Sequence, residues 1–357
     1  MPDDATYRGN PEPRSAGTAT ARRVPLAWPR DRHFRILAFD GGGIRGLFSA
    51  HLLATLEQCY LGGESAATYF DLIVGTSTGG ILALGLGAGL PAGTLRDLYR
   101  DRGCEVFPPG GVGLLGNLRR WLRGPSRLIW CRYDSTALKR MLEDVLGDRR
   151  LGTSTKRLCI PSFEGEHGEV YVFKTPHHSA FSKDLVEPMV KVGLATAAAP
   201  TYLRPHRDGG YTFVDGGVWA NNPIMIGLTE ALTSFDVSRD QIRILSIGCG
   251  DDPYRVSGAK ISLGGLLSWK DIIFAAMRLQ SQNALGQARL LVGPEHVLRL
   301  DVPPAVPKIE LDDWAAAVAH LPAAAESVLD AEAARVAEMF FTTPATPYMP
   351  IQRLSED

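Results

Sequence analysis

The sequence predicts an α/β fold built on a mainly parallel sheet, with a largely helical portion at the C-terminal end. Strand-like and helix-like apolar runs alternate over residues 34–91, four more short apolar runs follow, and long Ala- and Leu-rich segments occupy the last third of the 357 residues. Strand, helix, strand and helix in close order imply right-handed βαβ units, and such units produce parallel sheets.

The first four elements are the most clearly marked. "FRILAFD" (Phe34–Asp40) and "YFDLIVG" (Tyr69–Gly75) are short apolar runs typical of buried strands. "LFSAHLLATLEQCY" predicts a helix over Leu47–Tyr60, and a second helix is expected to begin near Thr78 and to end before Pro91. Together they predict the start of the sheet and of its helical cover.

The later elements are predicted from apolar, β-branched and aromatic runs for strands, and from longer Ala- and Leu-rich runs for helices. Further strands are expected at Arg157–Phe163, Glu169–Thr175, Tyr211–Gly217 and Ile242–Gly248. Further helices are expected at Thr136–Leu146, Trp269–Leu291 and Ala323–Phe341.

One domain is expected between two tails. Residues 1–33 contain Pro, Gly, Arg and Asp without an apolar stretch, so they predict a flexible tail and show no signal peptide. Residues 34–341 are the expected domain, with its motifs in residues 34–250 and its helical part in residues 260–341. Residues 342–357 are expected to form a C-terminal tail.

Composition and charge exclude several classes of protein. A chain with 45% hydrophobic and 22% charged residues is typical of a globular protein, and a net charge of −1 gives no electrostatic basis for DNA binding. Five scattered cysteines, without C-x-x-C pairs, argue against a disulfide framework or a structural zinc site. A reducing, cytoplasmic compartment fits this cysteine usage.

An uncharged run, "LIVGTSTGGILALGLGAGL" (Leu72–Leu90), has the length of a membrane span. It contains six glycines, and Thr76, Ser77 and Thr78 lie within it. These residues favour a buried strand, a tight turn and a buried helix over a span.

The loop after the first predicted strand has two interpretations. Gly41, Gly43 and Gly46 spell G-x-G-x-x-G, so the loop could bind the pyrophosphate of a dinucleotide or the oxyanion of a reacting ester. A dinucleotide site also needs an acidic residue at the end of the following strand. That strand ends in Gly75-Thr76-Ser77 instead, which weakens the cofactor interpretation.

The nucleophile candidate lies in "GTSTG" (Gly75–Gly79), which matches G-x-S-x-G between an apolar strand and an apolar helix. A serine on such a sharp turn exposes its hydroxyl, and the small neighbours Gly75 and Gly79 relieve the crowding. The dipole of the following helix favours negative charge at its start. A glycine-rich turn without a catalytic role is the alternative.

The base candidate is Asp215, which ends the run "YTFVD" and precedes two glycines. A carboxylate near apolar walls has a raised pKa and can accept a proton from a serine hydroxyl. In a Ser–Asp–His triad the histidine would have to be His296 or His320, and neither lies in a recognisable catalytic loop. His177 and His178 would need a metal partner that the sequence does not supply.

Three motifs in this order resemble the patatin-like phospholipases: D-G-G-G-I-R-G at residues 40–46, G-T-S-T-G at 75–79 and D-G-G at 215–217. "ATAAAPTYLRP" before the aspartate and "NNP" after it are also similar to that family. The resemblance covers about residues 34–250. It implies a three-layer patatin-like fold, with a central mainly parallel sheet flanked by helices.

The resemblance also implies the roles of the site residues. Ser77 would be the nucleophile and Asp215 its proton acceptor, in a dyad that releases fatty acids from membrane phospholipids. Gly41, Gly42 and Gly43 would form the oxyanion hole, with positive charge from Arg45. No cofactor and no metal are implied.

Compact bacterial members of the family include antiphage (CBASS) effectors that cyclic oligonucleotides activate. By this analogy we expect antiviral defence, a cyclic di- or trinucleotide activator, action at the inner face of the membrane and a homo-oligomer. No motif assigns residues to the nucleotide.

The segment Gly113–Arg132 is basic and contains Trp121 and Trp130, with arginines at 119, 120, 123, 127 and 132. It could lie on an anionic bilayer or over the site, bind nucleotide phosphates, or form a solvated helix face. Two other functions also stay open. They are a nucleotide-binding module that uses Gly41–Gly46, and a soluble carboxylesterase with a Ser–Asp–His triad.

Overall fold

The computed structural model describes residues 12–14, 22–108, 131–250 and 272–353. Within these ranges eight strands form one mixed sheet in the order β5-β6-β3-β2-β1-β7-β8, and β4 pairs with β3 beside this path. The strands are β1 (Phe34–Phe39), β2 (Leu72–Gly75), β3 (Arg157–Glu164), β4 (Glu169–Lys174), β5 (His206–Asp208), β6 (Tyr211–Asp215), β7 (Ile242–Ile247) and β8 (Val297–Leu300).

Helices cover both faces of this sheet, which gives the expected three layers. They are α1 (Gly46–Tyr60), α2 (Thr78–Gly87), α3 (Ala92–Val106), α4 (Thr136–Leu146), α5 (Met189–Thr196), α6 (Gly217–Ala220), α7 (Ile224–Ser234), α8 (Ile272–Val292) and α9 (Trp314–Phe340). Alternate residues of β1 point to opposite cores: Leu37 and Phe39 pack in the larger one, and Ile36 and Ala38 in the other. Burial on both faces is typical of a central parallel strand.

Five strands of the sheet are mutually parallel, as expected. β1 pairs with β2 and β7, β2 with β3, and β7 with β8, all in parallel. The other three strands are antiparallel additions, because β4 and β6 pair with β3, and β5 pairs with β6. The α/β fold class and the mainly parallel sheet are therefore confirmed.

The strands predicted from sequence are all present, and the helix at Thr136–Leu146 has the predicted bounds. α9 begins at Trp314, before the expected start at Ala323, and continues through Pro322. The prediction missed the helices α3, α5, α6 and α7 and the short strands β5 and β8. The uncharged run forms β2 and α2, every residue of which is buried. Of the helices in the described ranges, none combines the length and apolar character needed to cross a membrane.

Part of the expected N-terminal tail packs on the domain. Trp28 is buried against Phe34 and Phe235, with ring centroids 4.7 and 5.7 Å away. Arg23 donates to the buried carboxylate of Glu230 at 2.9 Å. The domain boundaries proposed from sequence stay a prediction. The basic segment Gly113–Arg132 lies outside the described residues except for its last two positions.

Candidate active site

The topology of β3 brings two distant strand ends together. β4 pairs with β3 over Cys159–Glu164, so it occupies one edge of that strand. On the other edge, β2 pairs in parallel as far as Cys159, and β6 pairs antiparallel from Glu164 back to Ser162. β2 and β6 run toward each other along this edge. Their carboxyl ends are three residues apart along β3, from Cys159 to Ser162, a distance of about 10 Å.

Ser77 follows the end of β2 on a sharp turn into α2. Its backbone has φ of +55° and ψ of −123°, a left-handed conformation that is strained for a residue with a Cβ atom. A Cβ atom on Gly75 would lie 2.1 Å from the Gly79 carbonyl oxygen, and one on Gly79 would lie 2.5 Å from that of Phe39. The turn therefore requires glycine at both flanking positions, and the expected strand–turn–helix context is present.

Asp215 ends β6 and faces Ser77. The Ser77 hydroxyl donates to Asp215 Oδ2 at 2.6 Å, and the amide of Gly217 donates to Oδ1 at 2.6 Å. Burial raises the pKa of Asp215 to about 6, although both of these hydrogen bonds oppose the increase. The carboxylate is therefore basic enough to accept a proton near neutral pH and is held in place by the backbone.

Thr196, at the end of α5, joins the two halves of the site. Its hydroxyl donates to the carbonyl of Pro161 at 2.6 Å and accepts the amide of Ser77 at 3.0 Å. Pro161 lies on β3 between the pairings of β2 and β6, where a Cβ atom on Gly216 would lie 2.3 Å from its carbonyl oxygen. Thr196 lies in the segment "ATAAAPTYLRP" that resembles the family, but the sequence pattern alone assigns it no role.

The glycine loop lies beside this pair, and its amides differ in what they can bind. The Gly41 amide donates to the carbonyl of Asn221 at 3.0 Å. The amides of Gly42 and Gly43 have no hydrogen-bond partner among the described residues, so they can hold an oxyanion. A Cβ atom on Gly41 would lie 3.2 Å from Ser77 Cβ. Gly41 therefore provides space next to the hydroxyl.

The position of the glycine loop is stabilised by a network of hydrogen bonds between charged groups. Arg45 donates to the carbonyls of Gly250 at 2.7 Å and Gly42 at 3.3 Å. Asp40 accepts two hydrogen bonds from the guanidinium of Arg299, at 2.9 and 2.7 Å. Arg299 also donates to Asp301 at 2.7 Å, and Asp301 accepts the Gly250 amide at 2.8 Å. Arg45 thus contributes to the shape of the loop as well as to its charge.

A cavity of about 580 Å³ opens on Ser77 and Asp215. Its walls are largely apolar and come from the glycine loop, α2, α3, α4, α8, the segment after α5 and the segment before α9. They include Ile81, Leu98, Val106, Leu138, Met141, Leu203 and Ile309. A cavity of this size and polarity suits an aliphatic chain.

The eight histidines all lie within the described residues, and none of them lines this cavity. His320 is exposed on α9, and His296 lies in a short turn before β8. The two histidines weighed for a triad are therefore not placed to serve Ser77.

His177 lies close to two other groups that can bind metal ions, Cys159 and Glu230. Ligand-type atoms of Cys159, His177 and Glu230 lie within 4.8 Å of one another in the smaller core. The Glu230 carboxylate already accepts Lys174 at 2.6 Å and Arg23 at 2.9 Å. A carboxylate paired with two cations is a poor ligand for a metal ion, so this cluster fits an ion-pair network better.

An α/β fold with a serine on a strand–turn–helix at the wall of an apolar cavity, and a buried carboxylate beside that serine, is typical of the serine esterases. A family model described as patatin-like phospholipase matches residues 37–228, which is more than half of the chain. The chain therefore belongs to the patatin-like phospholipases, a family of ester-hydrolysing enzymes.

Its relatives include bacterial and plant proteins. It is 37% identical to a "cGAMP-activated phospholipase" of Escherichia coli strain TW11681, over 64% of this chain and 65% of that protein. It is 36% identical to a protein of the same description from Pseudomonas aeruginosa strain BWHPSA011 / Pa011, over 71% of this chain and 75% of that protein. It is 30% identical to "Patatin-like protein 1" of Arabidopsis thaliana, over 66% of this chain and 63% of that protein. The chain thus aligns with about two thirds of the length of the first of these.

Proposed function

We propose that the chain is an acyl hydrolase that releases fatty acids from membrane phospholipids, with Ser77 as nucleophile and Asp215 as base. The observation that carries the proposal is the 2.6 Å hydrogen bond between the Ser77 hydroxyl and Asp215 Oδ2 at the wall of the apolar cavity. The bond joins the group that attacks the ester to the group that accepts its proton.

In the first step Asp215 Oδ2 accepts the proton as Ser77 Oγ attacks the ester carbonyl. The negative charge on the tetrahedral intermediate is stabilised by the amides of Gly42 and Gly43 and by the start of α2. When the intermediate collapses, the C–O bond to the lysolipid breaks and Asp215 returns the proton to the leaving oxygen. The acyl group remains on Ser77.

In the second step water attacks the acyl-enzyme and gives its proton to Asp215. The same amides stabilise the second intermediate, and the fatty acid leaves as Ser77 recovers its proton. Loss of one oxyanion donor typically lowers the rate about 10²- to 10³-fold. In the proposed chemistry the amides of Gly42 and Gly43 therefore stabilise the oxyanion, whereas Gly41 leaves space beside the Ser77 hydroxyl.

We also propose that a cyclic nucleotide activates the enzyme, in antiviral defence at the inner face of the cytoplasmic membrane. The support is the description of two relatives as cGAMP-activated phospholipases, at 37% and 36% identity.

The test is release of fatty acid from phosphatidylglycerol vesicles, with and without cGAMP. Ser77→Ala and Asp215→Asn should each lower the rate by at least about 10³-fold, the scale seen when a catalytic hydroxyl or its base is removed. Ser154→Ala is the matched control, because Ser154 is also a buried serine but does not line the cavity.

Circular dichroism and thermal unfolding establish that the variants are folded. Full activity in folded Ser77→Ala protein would overturn the assignment of the nucleophile. Equal activity with and without cGAMP would overturn the proposed activation and leave the acyl hydrolase proposal standing.

A further inference from the structure

Cationic side chains in the wall of the catalytic cavity differ in whether they have a partner. The cavity is lined by Arg45, Arg132, Arg278 and Lys308. Three of these four already interact with other groups of the protein. The fourth, Arg278, lies on α8.

The partners of the first three are backbone carbonyls or carboxylates. Arg45 donates to the Gly250 carbonyl at 2.7 Å. Arg132 forms an ion pair with Asp312. Lys308 lies 3.3 Å from a carboxylate oxygen of Glu310. Their charges are therefore at least partly compensated before any substrate enters.

The guanidinium of Arg278 has no hydrogen bond or ion pair with any residue in the described ranges. Its Nε atom is buried and lacks a partner. A buried donor without a partner costs free energy, more so when it is charged. An anionic group that entered the cavity would remove this cost.

The packing of α8 places Arg278 close to the reacting groups. The Met277 methyl lies 3.0 Å from the position of a Cβ atom on Gly217, whose amide holds Asp215. Ser281, one turn further along α8, accepts the side-chain amide of Asn221 at 3.2 Å. Arg278 lies between these two contacts and lines the same cavity as Ser77.

We propose that Arg278 is a phosphate-binding residue of the catalytic cavity and selects lipids that carry a phosphate next to the scissile ester. An arginine binds phosphate through two parallel hydrogen bonds, which fix orientation as well as position. In a glycerophospholipid only a few bonds separate the phosphate from the ester carbonyls, so one cavity can hold both. The inference rests on the proposed acyl hydrolase function.

The experiment compares two lipids with identical acyl chains, phosphatidylglycerol and diacylglycerol, in neutral detergent micelles with cGAMP present. Arg278→Gln should lower kcat/KM for phosphatidylglycerol about 10- to 100-fold, the range for loss of hydrogen bonds to a charged group. Its kcat/KM for diacylglycerol should stay within about twofold, because that lipid has no phosphate. Arg278→Lys should recover part of the loss.

Arg289→Gln is the matched control, since Arg289 is an exposed arginine on the same helix. It removes the same charge without touching the cavity, so it should leave both rates unchanged. Thermal unfolding of each variant checks that α8 is intact.

A second arm separates a lipid phosphate from a free one, using hydrolysis of 4-nitrophenyl butyrate as the readout. Inhibition by glycerol 3-phosphate that disappears in Arg278→Gln would support a subsite for the phosphate group itself. Inhibition that persists in Arg278→Gln would place that phosphate elsewhere and contradict the proposal.

Two further results would distinguish an error in the role of Arg278 from an error in the proposed function. If the unmodified enzyme hydrolyses both lipids and Arg278→Gln lowers both rates equally or neither, the phosphate-binding role is wrong. If the unmodified enzyme releases no fatty acid from any of the three esters, the proposed function itself fails.

Discussion

The Asp215 carboxyl differs from that of an ordinary aspartate because it is buried away from solvent. Among the residues that the structure describes, it receives two hydrogen bonds, from Ser77 and from the amide of Gly217. Burial is the larger influence and raises its pKa to about 6. Its basicity is therefore a property of the apolar wall around it.

This pKa predicts the pH dependence of the reaction. Asp215 accepts the Ser77 proton only when it is ionised, so kcat/KM should fall as the pH drops through about 6 and should level off above it. The measurement is kcat/KM for a water-soluble ester between about pH 4.5 and 8, with folding checked at each pH. A kcat/KM that stays level down to about pH 5, as the ordinary aspartate value of about 4 would give, would contradict the buried-base assignment.

At the scale of elements, the glycine loop depends on the short strand β8. Arg299 on β8 holds Asp40, the residue that links β1 to the loop. Burial by itself lowers the pKa of Arg299, but Asp40 and Asp301 outweigh it and raise the pKa above its usual value. The charged pair therefore stays ionised and keeps the end of β1 and the end of β8 together.

Breaking this pair should destabilise the fold. Arg299→Gln removes the cation that pairs with the buried Asp40 carboxylate, and we expect a loss of about 3–5 kcal/mol in the free energy of unfolding, measured with urea. Arg243→Gln, on the neighbouring strand β7, is the control, because within the described ranges Arg243 donates to backbone carbonyls and not to a carboxylate. Similar unfolding free energies for the two variants would show that the Asp40 pair contributes little.

The sequence allowed prediction of those elements and residues that lie in a short motif or in a periodic run of apolar residues. Ser77 and Asp215 each lie in a short motif at the end of an apolar strand, so both could be named without a structure. The role of Arg299 could not be predicted, because it depends on an ion pair with Asp40, which lies 259 positions away in the sequence. The strand β8 has only four residues, one of them this arginine, which is too short for a periodic signal. Arg278 was missed for a similar reason, since only packing shows that it lines the cavity.

For the whole molecule, the segment before β1 extends the smaller core. Trp28 is 9% exposed and packs against Phe34 in a tilted arrangement and against Phe235 edge to face. Arg23 reaches Glu230 on α7 from the same segment. These contacts connect residues 22–33 to the face of the sheet that α7 and α8 cover.

Trp28→Ala therefore tests whether this segment stabilises the domain. Truncation of a large buried aromatic side chain should lower the free energy of unfolding by about 3–5 kcal/mol. Val24→Ala, in the same segment but with Val24 82% exposed, should change it little. If both variants unfold like the unmodified protein, the segment is a tail in solution, as its composition suggests.

The meeting of β2 and β6 on β3 also has a consequence for synthesis on the ribosome. The proposed nucleophile and β3 have been translated by residue 164. The proposed base is translated only at residue 215, and Arg299, which pairs with Asp40 beside the loop, at residue 299. Domains begin to fold from the N-terminus during translation, so an early nascent chain would hold a serine without its proton acceptor. An enzyme proposed to attack its own host's membrane thus gains its activity only late in translation.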